Sequence, residues 1–375
     1  MAMVEVITIY EKGNYGDAVA RAAAVADQGG VVAFPTETVY GVGARADRPE
    51  AMDRLRTLKE RTNGRPFTVH IAERDRVHEY VPAPPALGLR LVRKGWPGPL
   101  TLLFRVSDPS TAPIARGRET NLAGEIYHEH EVGLRCPDHE VARGFLAGVA
   151  GPVVAASANR AGCAPACTAF GVLTELGDEI DLLLDAGPAE FGRPSTIVRV
   201  GESGYELVRE GVYDARTLRR LASLNLLFVC TGNTCRSPMA AGLFKPMLAR
   251  RLGCSVSELA DHYVAIRSAG TSAGEGSRAA PEAAEVMRRR DIDITDHLSV
   301  RLSPELINQA DRIYVMTQSH AEAVTAMVPS AHGKTRLLSD EGDIEDPIGG
   351  GVSVYESCAR QIEQALPVRA EEAEL

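Results

Sequence analysis

The stretch "FVCTGNTCRSP", residues 228–238, decides the fold of the C-terminal part of the chain. It overlaps the end of the apolar run "NLLFVC" (225–230) and leads into a predicted helix over residues 238–251. A strand, a tight loop and a helix in this order place several backbone N–H groups around one concavity, and the dipoles there favour a dianion. The sequence therefore predicts a phosphate-binding loop with a cysteine at its start.

The residue types of this loop suit nucleophilic chemistry on phosphorus. Cys230 lies at the strand end, where the same field favours the thiolate, the nucleophilic form of cysteine. Arg236 can fork around two phosphoryl oxygens, and Ser237 can donate a hydrogen bond to the thiolate. Gly232 and Asn233 tolerate the positive φ that a tight loop needs. The other loop positions predicted to surround the phosphate are Thr231, Thr234 and Cys235.

Strand and helix patterns alternate on the C-terminal side of this loop. The alternation is typical of a doubly wound parallel sheet. We expect the last ten residues, "LPVRAEEAEL", to be frayed. The remaining predicted elements of this part are strands at 263–270 and 312–317 and helices at 281–290 and 353–365.

The residues before the loop predict a second α/β domain. We place the boundary near residues 215–224, in the short helical connector "DARTLRRLAS", which gives domains of 1–215 and 224–375. Helices are predicted at 17–28 and 49–60. The predicted strands are 31–34, 67–72, 101–106, 131–136, 152–159, 181–187, 196–200 and 205–211.

The composition is that of an ordinary soluble protein of about two domains. The chain has 375 residues, of which 45% are hydrophobic and 24% charged, and a net charge of −9. This balance excludes a strongly basic nucleic-acid-binding protein, although a local basic groove stays open. We see no signal peptide in "MAMVEVITIY" and no apolar run near the ~18 residues of a membrane span. We therefore expect a cytoplasmic protein without a membrane segment.

The cysteines predict neither a disulfide framework nor a metal site. There are seven, an odd number scattered over a long chain, which is typical of a reducing compartment. Cys163 and Cys167 are four residues apart, but no second cysteine pair or nearby histidines complete a zinc site. We expect no protein-held metal.

The C-terminal part, residues 224–365, resembles the low-molecular-weight protein tyrosine phosphatase family. The resemblance implies that Cys230 is the nucleophile, Arg236 the phosphate clamp and Asp346 the general acid of a reaction through a phosphocysteine. Such an acid is needed because expelling an unprotonated leaving group is costly. With all three residues present, a degenerate anion-binding domain is excluded. Besides the loop, the matching segments are "SAGT" (268–271), "DHLS" (296–299), "ADRIYVMTQSH" (310–320) and "EDP" (345–347).

The same resemblance implies a brace around the loop and a substrate. Asn233, Ser268 and His297 match family positions that support it. Thr234 stands where tyrosine phosphatases usually carry a larger aliphatic residue, and Ile348 where they tend to carry tyrosine. The loop is similar to that of the protein-arginine phosphatase branch. We expect a phosphoprotein substrate with phosphoarginine preferred, and phosphotyrosine stays open as the alternative.

Two further readings of the loop differ in their use of cysteine. Arsenate reductases share the loop but need two downstream redox cysteines, and no cysteine lies between residues 255 and 357. This disfavours a reductase. Cys235, beside the nucleophile, can protect Cys230 as a reversible disulfide.

In the N-terminal part, two polar segments interrupt apolar strands. "FPTETVYGVGA" (34–44) reads as a strand running into a polar, glycine-bearing turn. "SAN" (157–159) presents a hydroxyl and an amide at the end of an apolar strand. Both segments predict polar groups at a sheet edge.

A basic segment lies between them in the sequence. "KERTNGRPFTVHIA" (59–72) gathers Lys59, Arg61, Arg65 and His70. A cluster of cations beside polar strand ends suits a polyphosphate. We therefore predict a polyphosphate site in this part of the chain, and a solvated helix end stays open as the alternative.

Residues 14–211 resemble the threonylcarbamoyl-AMP synthase (YrdC-like) family. The resemblance implies an open twisted α/β sheet with a concave basic face. It also implies that L-threonine, bicarbonate and ATP give threonylcarbamoyl-AMP and pyrophosphate, after which a tRNA-modifying transferase complex accepts the product. The matching segments are "PTETVYG" (35–41), Lys59 and Arg61, Pro66 and His70, "WPGPLTLLF" (96–104), "VGLRCPDH" (132–139), "SAN", "STIVRV" (195–200) and "LVREG" (207–211).

The resemblance also implies the roles of single residues. Lys59 and Arg61 would neutralise the ATP phosphates and the departing pyrophosphate, with Mg²⁺ carried mainly by those phosphates. Thr36 and His70 would hold threonine or its carbamate. The residues implied to hold the nucleotide are Arg135, Ser157, Asn159, Ser195 and Arg209.

Two alternatives for this part have distinct signatures. A double-stranded RNA-binding module would use the concave basic face without catalysis, and it would release no pyrophosphate. A role in carbamoyltransferase maturation calls for acylphosphatase and zinc-finger segments, which the sequence lacks. We therefore expect a synthase, with RNA as a possible further partner.

Overall fold

A computed structural model describes residues 3–9, 13–60, 67–116 and 122–373. The chain divides into two compact units, the first ending at Leu221 and the second beginning at Ala222. Across the described ranges, no helix has the length and apolar character needed to cross a membrane.

Ten strands of the first unit form one mixed sheet, counting its described residues. They are Glu5–Thr8 (β1), Val32–Phe34 (β2), Gly41–Arg45 (β3), Thr68–His70 (β4), Leu100–Arg105 (β5), Glu131–Arg135 (β6), Val153–Ser157 (β7), Leu182–Asp185 (β8), Thr196–Val200 (β9) and Tyr205–Arg209 (β10). Their order is β1-β8-β2-β3-β7-β4-β6-β5-β9-β10. The adjacent strands β3, β7, β4 and β6 bring four distant sequence segments together at the centre of the sheet.

The helices of the first unit cover this sheet. Ala22 and Phe145, on two of these helices, pack with Phe34 and Leu182 of the sheet in one apolar core. The helices are Tyr15–Asp27 (α1), Pro49–Leu58 (α2), Val77–Tyr80 (α3), Ala86–Gly95 (α4), Leu122–Ile126 (α5), Glu140–Gly148 (α6), Ala169–Leu176 (α7) and Ala215–Ala222 (α8).

The structure corrects one segment of the first unit and adds another. Residues 41–44, expected to form a glycine-bearing turn, belong to the buried central strand β3. Gly43 is needed there because a Cβ would lie 2.7 Å from the carbonyl oxygen of Val154 on β7. The glycines thus serve close strand packing and not a turn. Strand β1, which pairs with β8, was not predicted.

The second unit is built on a four-stranded parallel sheet, as the alternating pattern predicted. The strands Leu224–Cys230 (β11), Val264–Gly270 (β12), Arg312–Val315 (β13) and Thr335–Leu337 (β14) lie in the order β12-β11-β13-β14. Its helices are Arg236–Leu252 (α9), Pro281–Arg288 (α10), Pro304–Gln309 (α11), Gln318–Met327 (α12) and Val352–Glu372 (α13). The rings of Phe228 and Tyr314 lie 5.6 Å apart in its core. β11, at the centre, carries Cys230 at its carboxyl end.

The expectation of a frayed C-terminus is wrong for the described residues. Helix α13 runs to Glu372, through Pro367. Leu366 and Ala370 are buried in the core, and Arg369 donates from Nε to the carbonyl oxygen of Leu338 at 3.0 Å. The buried apolar face offsets the backbone hydrogen bond that proline cannot donate.

Candidate active sites

The predicted phosphate loop joins the end of β11 to the start of α9. The sulfur of Cys230 is buried and accepts a hydrogen bond from the backbone N–H of Asn233 at 3.2 Å. The hydroxyl of Ser237 lies 2.9 Å from the same sulfur. The backbone N–H of Thr271 donates to the carbonyl oxygen of Cys230 at 2.9 Å, which ties the loop to the end of β12. The loop is therefore held in place around an inward-facing sulfur.

Asn233 is the structural centre of the loop. Its φ of 55° lies in the left-handed region, and its side chain is fully buried. Its amide donates to the hydroxyls of Ser237 and Ser268, each at 2.8 Å. His297 Nε2 lies 2.7 Å from its carbonyl oxygen, and its side-chain oxygen accepts from the N–H of Val300 at 2.8 Å. The structure thus brings together the three residues implied to brace the loop.

One expectation for the loop backbone is wrong. Gly232 does not have a positive φ, so Asn233 alone takes the left-handed conformation within the loop. The side chain of Asn233 compensates for this conformation with its hydrogen bonds, which is why a non-glycine residue is tolerated there.

Arg236 and Asp346, the implied clamp and acid, form an ion pair. Arg236 also donates from Nη1 to the carbonyl oxygen of Ile344 at 3.0 Å and from Nη2 to the hydroxyl of Thr231 at 3.3 Å. Its Nε is buried and has no hydrogen-bond partner among the described residues. The Nε–H of Arg236 can therefore donate a hydrogen bond to a phosphoryl oxygen.

The other predicted loop residues lie around this centre. The thiol of Cys235 is buried and lies 3.2 Å from the hydroxyl of Tyr355 on α13. Thr234 is half-buried, and its carbonyl oxygen accepts from the N–H of Ala280 at 2.9 Å. Ile348, beyond the acid, is 72% exposed. No aromatic side chain therefore stands at this position.

Sequence reasoning missed His320 at this site. Its Nε2 lies 2.9 Å from the hydroxyl of Thr231, which contacts Arg236. The residue stands in the segment "ADRIYVMTQSH", but nothing in that segment indicates which loop residue it meets. The contact follows from the pairing of β13 with β11.

The first unit contains a cavity of about 240 Å³ at the centre of its sheet. Asn159 lies beside it, in contact with Lys59. Arg61 lies outside the described residues. The predicted residues that line the cavity are Thr36, Lys59, His70, Arg135, Ser157, Ser195 and Arg209.

Lys59 is held at the end of β7. It caps the carboxyl end of α2, whose buried residues include Leu55 and Leu58, and it lines the cavity. Its Nζ donates to the carbonyl oxygens of Ser157 and Asn159 at 3.0 and 2.6 Å. The Ser157 hydroxyl in turn donates to the Asn159 side-chain oxygen at 2.5 Å. A cation and two polar side chains therefore share one corner of the cavity.

His70 contributes a neutral, buried imidazole. Burial and the nearby charge of Arg135 lower its pKa to about 3. Its Nδ1 lies 3.1 Å from the carbonyl oxygen of Thr68, so Nδ1 carries the hydrogen of the neutral ring. Nε2 is then left as a hydrogen-bond acceptor.

Arg135 is held by a residue that sequence reasoning missed. It donates from Nη2 to the carboxylate of Glu37 at 2.9 Å and to the hydroxyl of Thr38 at 2.7 Å. The hydroxyl of Thr36 lies 3.5 Å from the same nitrogen and donates to the carbonyl oxygen of Val39 at 2.6 Å. Glu37 and Arg135 are 2% and 6% exposed, so this is a buried ion pair. It fixes the guanidinium at the cavity wall.

Ser195 and Arg209 also line the cavity. Arg209 donates from Nη2 to the carbonyl oxygen of Ser195 at 2.7 Å. The hydroxyls of Ser195 and Thr101 lie 2.9 Å apart. Thr101 was not predicted, although it belongs to the matched segment 96–104. These residues add hydrogen-bond donors and acceptors to the cavity lining.

No part of either site resembles a metal centre within the described ranges. No group of three or more histidine, cysteine, aspartate or glutamate side chains is placed there to hold an ion.

Two family models match the chain. The model of the YrdC-like family, described as "Telomere recombination", matches residues 24–211. The model described as "Low molecular weight phosphotyrosine protein phosphatase" matches residues 225–373. Each match lies within one of the two units.

Curated relatives match each half separately. A threonylcarbamoyl-AMP synthase of Chromohalobacter salexigens is 36% identical over 194 residues, 52% of this chain and 97% of the relative. A threonylcarbamoyl-AMP synthase of Bacillus subtilis is 32% identical over 52% of this chain and 53% of its own length. A protein-arginine-phosphatase of Bacillus subtilis is 34% identical over 148 residues, 38% of this chain and 92% of the relative. The chain thus spans about half of the Bacillus synthase and nearly all of the other two.

Proposed function

Because residues 24–211 belong to the YrdC-like family and residues 225–373 to the low-molecular-weight protein tyrosine phosphatase family, we propose that the chain is a bifunctional enzyme with one active site in each unit. The N-terminal half makes threonylcarbamoyl-AMP, and the C-terminal half is a cysteine-dependent protein phosphatase.

The synthase reaction joins three small substrates. The amino nitrogen of L-threonine takes up bicarbonate with loss of water to give a carbamate. A carbamate oxygen then attacks the α-phosphorus of ATP, and the bond from that phosphorus to the bridging oxygen of pyrophosphate breaks. Little covalent chemistry is asked of the protein, so positioning and charge neutralisation dominate.

The observation that carries this proposal is the position of Lys59 on the Ser157–Asn159 strand end, in the cavity that also holds His70 and Arg135. Lys59 supplies positive charge for the phosphates and the leaving pyrophosphate. We expect ATP to bring Mg²⁺ on its own phosphates.

The remaining cavity residues would divide the substrates between them. His70, neutral with a free Nε2 acceptor, and Thr36 would hold threonine or its carbamate. Arg135, Ser195 and Arg209 would hold the nucleotide. We expect Arg61 to join Lys59 at the phosphates. The product would pass to a tRNA-modifying transferase complex, and these substrates imply a cytoplasmic location.

Pyrophosphate release tests the synthase proposal. The full chain, given ATP, L-threonine and bicarbonate, should release pyrophosphate only when all three are present. Pyrophosphate release in the absence of threonine, or no release with all three substrates present, would contradict the proposal. Binding of double-stranded RNA by a chain that releases no pyrophosphate would instead support the binding-module alternative.

The phosphatase reaction uses Cys230 together with the ion pair of Arg236 and Asp346. The Cys230 thiolate attacks phosphorus while Asp346 donates a proton to the leaving atom of the substrate side chain. The bond between phosphorus and that atom breaks, which gives a phosphocysteine and the dephosphorylated substrate residue. Water then attacks phosphorus, its proton returns to Asp346, and the sulfur leaves with its electron pair. Arg236 spans the phosphoryl oxygens in both steps, and its unpartnered Nε is the observation that carries this role.

Phosphoarginine is the proposed substrate within the phosphoprotein class. The support is the 34% identity to a protein-arginine-phosphatase, the polar Thr234 in the loop and the exposed aliphatic Ile348 beyond the acid. A phenol ring would find no aromatic partner at that position, whereas a guanidinium needs acceptors more than stacking. Comparing kcat/KM for phosphoarginine and phosphotyrosine peptides tests this substrate assignment. Equal or higher values for phosphotyrosine would overturn this substrate assignment and leave the phosphatase chemistry intact.

A further inference from the structure

A buried histidine, His320, connects the phosphate loop to the start of helix α12. Its Nε2 lies 2.9 Å from the hydroxyl of Thr231, and its Nδ1 lies 2.8 Å from the hydroxyl of Thr317. Thr317 caps α12 and accepts a hydrogen bond from the backbone N–H of His320 at 3.4 Å. The imidazole is thereby fixed between the helix cap and the loop.

Thr231 continues this chain to the phosphate clamp. Its hydroxyl accepts from Nη2 of Arg236 at 3.3 Å, so the connection runs from His320 through Thr231 to the guanidinium. Thr231 is itself exposed at the mouth of the loop. Without a partner, such a hydroxyl would rotate freely and give Arg236 no fixed acceptor.

The other partners of the guanidinium lie on the segment that carries the proposed acid. Nη1 donates to the carbonyl oxygen of Ile344, and Nη2 pairs with the carboxylate of Asp346. Asp346 has to turn to the leaving atom to donate its proton, so it cannot hold Arg236 in that step. Of the side-chain oxygens that Nη2 contacts, the Thr231 hydroxyl is the one that does not move with the acid.

We propose that His320 is a positioning residue of the phosphatase reaction: it fixes the Thr231 hydroxyl, and Thr231 in turn holds the guanidinium of Arg236 with its Nε edge towards the phosphoryl group. The inference rests on the proposed phosphatase function and deepens it.

The charge state of His320 fits this role. Burial and the nearby charge of Arg236 lower its pKa to about 4, against the opposing effect of Asp343 and Asp346. In the neutral ring one nitrogen donates and the other accepts, so both threonine hydroxyls can be satisfied. An imidazolium at this place would repel the guanidinium that it has to align.

The experiment measures kcat and KM for a phosphoarginine peptide, and the inhibition constant of inorganic phosphate, on the full chain. The variants are His320→Ala, His320→Gln, Thr231→Val and the double variant His320→Ala with Thr231→Val. His332→Ala, at an exposed histidine of the same unit, is the matched control and should equal the wild type. Circular dichroism melting curves report whether each variant folds.

We expect His320→Ala to lower kcat/KM by roughly 10- to 100-fold and to weaken phosphate inhibition, because the clamp is misaligned. Thr231→Val should cause a similar loss, and the double variant should stay within about 3-fold of the worse single variant, since the residues act in one chain. His320→Gln, which keeps a polar group near the Nε2 position, should recover most of the activity.

Three results would overturn the inference. They are wild-type kinetics for His320→Ala, additive losses in the double variant, or a folded His320→Gln as poor as the alanine variant. If His320→Ala does not fold, wild-type kinetics for Thr231→Val would be sufficient to reject it. A wild type no more active than Cys230→Ser on any phosphorylated substrate would instead overturn the phosphatase proposal itself, and this inference with it.

Discussion

The backbone N–H of Asn233 points at the sulfur of Cys230, 3.2 Å away. The nucleophile is therefore held by a residue whose own backbone is left-handed and whose side chain is locked by Ser237, Ser268 and the N–H of Val300. The loop geometry exists before any substrate arrives, which is what electrostatic stabilisation of a transferring phosphoryl group requires.

Removal of the Asn233 side chain should weaken this loop. Asn233→Ala loses buried hydrogen bonds and leaves alanine at a positive φ, so we expect the second unit to lose roughly 2–4 kcal/mol of its free energy of unfolding. Phosphatase activity should disappear at a lower temperature or denaturant concentration than in the wild type. Asn308→Ala, at an exposed asparagine, should change stability by less than about 0.5 kcal/mol. Equal stability of the two variants would contradict this account of the loop.

Replacing Asp346 should affect poor leaving groups most. Asp346→Asn keeps the size of the side chain but cannot donate the proton, so turnover of a phosphoarginine peptide should fall by about 10²- to 10⁴-fold. A phosphate ester with an acidic phenol as leaving group needs less protonation and should lose less. Glu345→Gln, the exposed neighbour, controls for charge alone and should retain activity. Identical losses for both leaving groups would show that Asp346 is not the acid.

The imidazole of His70 should remain neutral far below neutral pH. Its pKa is lowered to about 3, mainly by burial, so its NMR signals should not titrate between pH 5 and 8. As the pH falls below ~6.5, the unfolded chain takes up a proton that the folded His70 excludes, so the first unit loses stability towards acid. The His70→Asn variant assigns the signals. A titration midpoint between pH 6 and 7 would refute the buried, neutral assignment.

Breaking the ion pair of Glu37 and Arg135 should cost far more folding free energy than breaking an exposed ion pair. Glu37→Ala leaves the buried guanidinium of Arg135 without its counter-ion, which costs about 3–5 kcal/mol of folding free energy. It should also raise KM for the synthase substrates, because Arg135 lines the cavity. Glu5, whose ion pair with Arg21 has side chains 39% and 50% exposed, provides the matched control. Glu5→Ala should cost less than about 1 kcal/mol, and similar losses for both variants would contradict the assignment.

The phosphate loop and the parallel sheet around it could be predicted from local sequence. Eight consecutive residues contain Cys230, Asn233, Arg236 and Ser237. A single strand–loop–helix unit places these side chains close together. Residues that meet across the sheet could not be placed in this way. His320 is 89 residues from Thr231 in sequence, and Glu37 is 98 from Arg135.

Two segments differ from the expectation because tertiary packing orders them in a way that local sequence does not indicate. The glycines of 41–45 are typical of a turn, but here they permit close packing of β3 against its neighbours. The last ten residues were expected to be frayed, but Leu366 and Ala370 bury the face of α13 on both sides of Pro367. In both places tertiary packing outweighed the local preference.

The central claim, that one chain carries two independent active sites, is tested most directly by a paired assay. Pyrophosphate release with ATP, threonine and bicarbonate, and phosphoarginine hydrolysis, would be measured in the wild type, Lys59→Ala and Cys230→Ser. We expect Lys59→Ala to lose pyrophosphate release and keep hydrolysis, and Cys230→Ser to do the reverse. Loss of both activities in either variant, or of neither in both, would contradict the account.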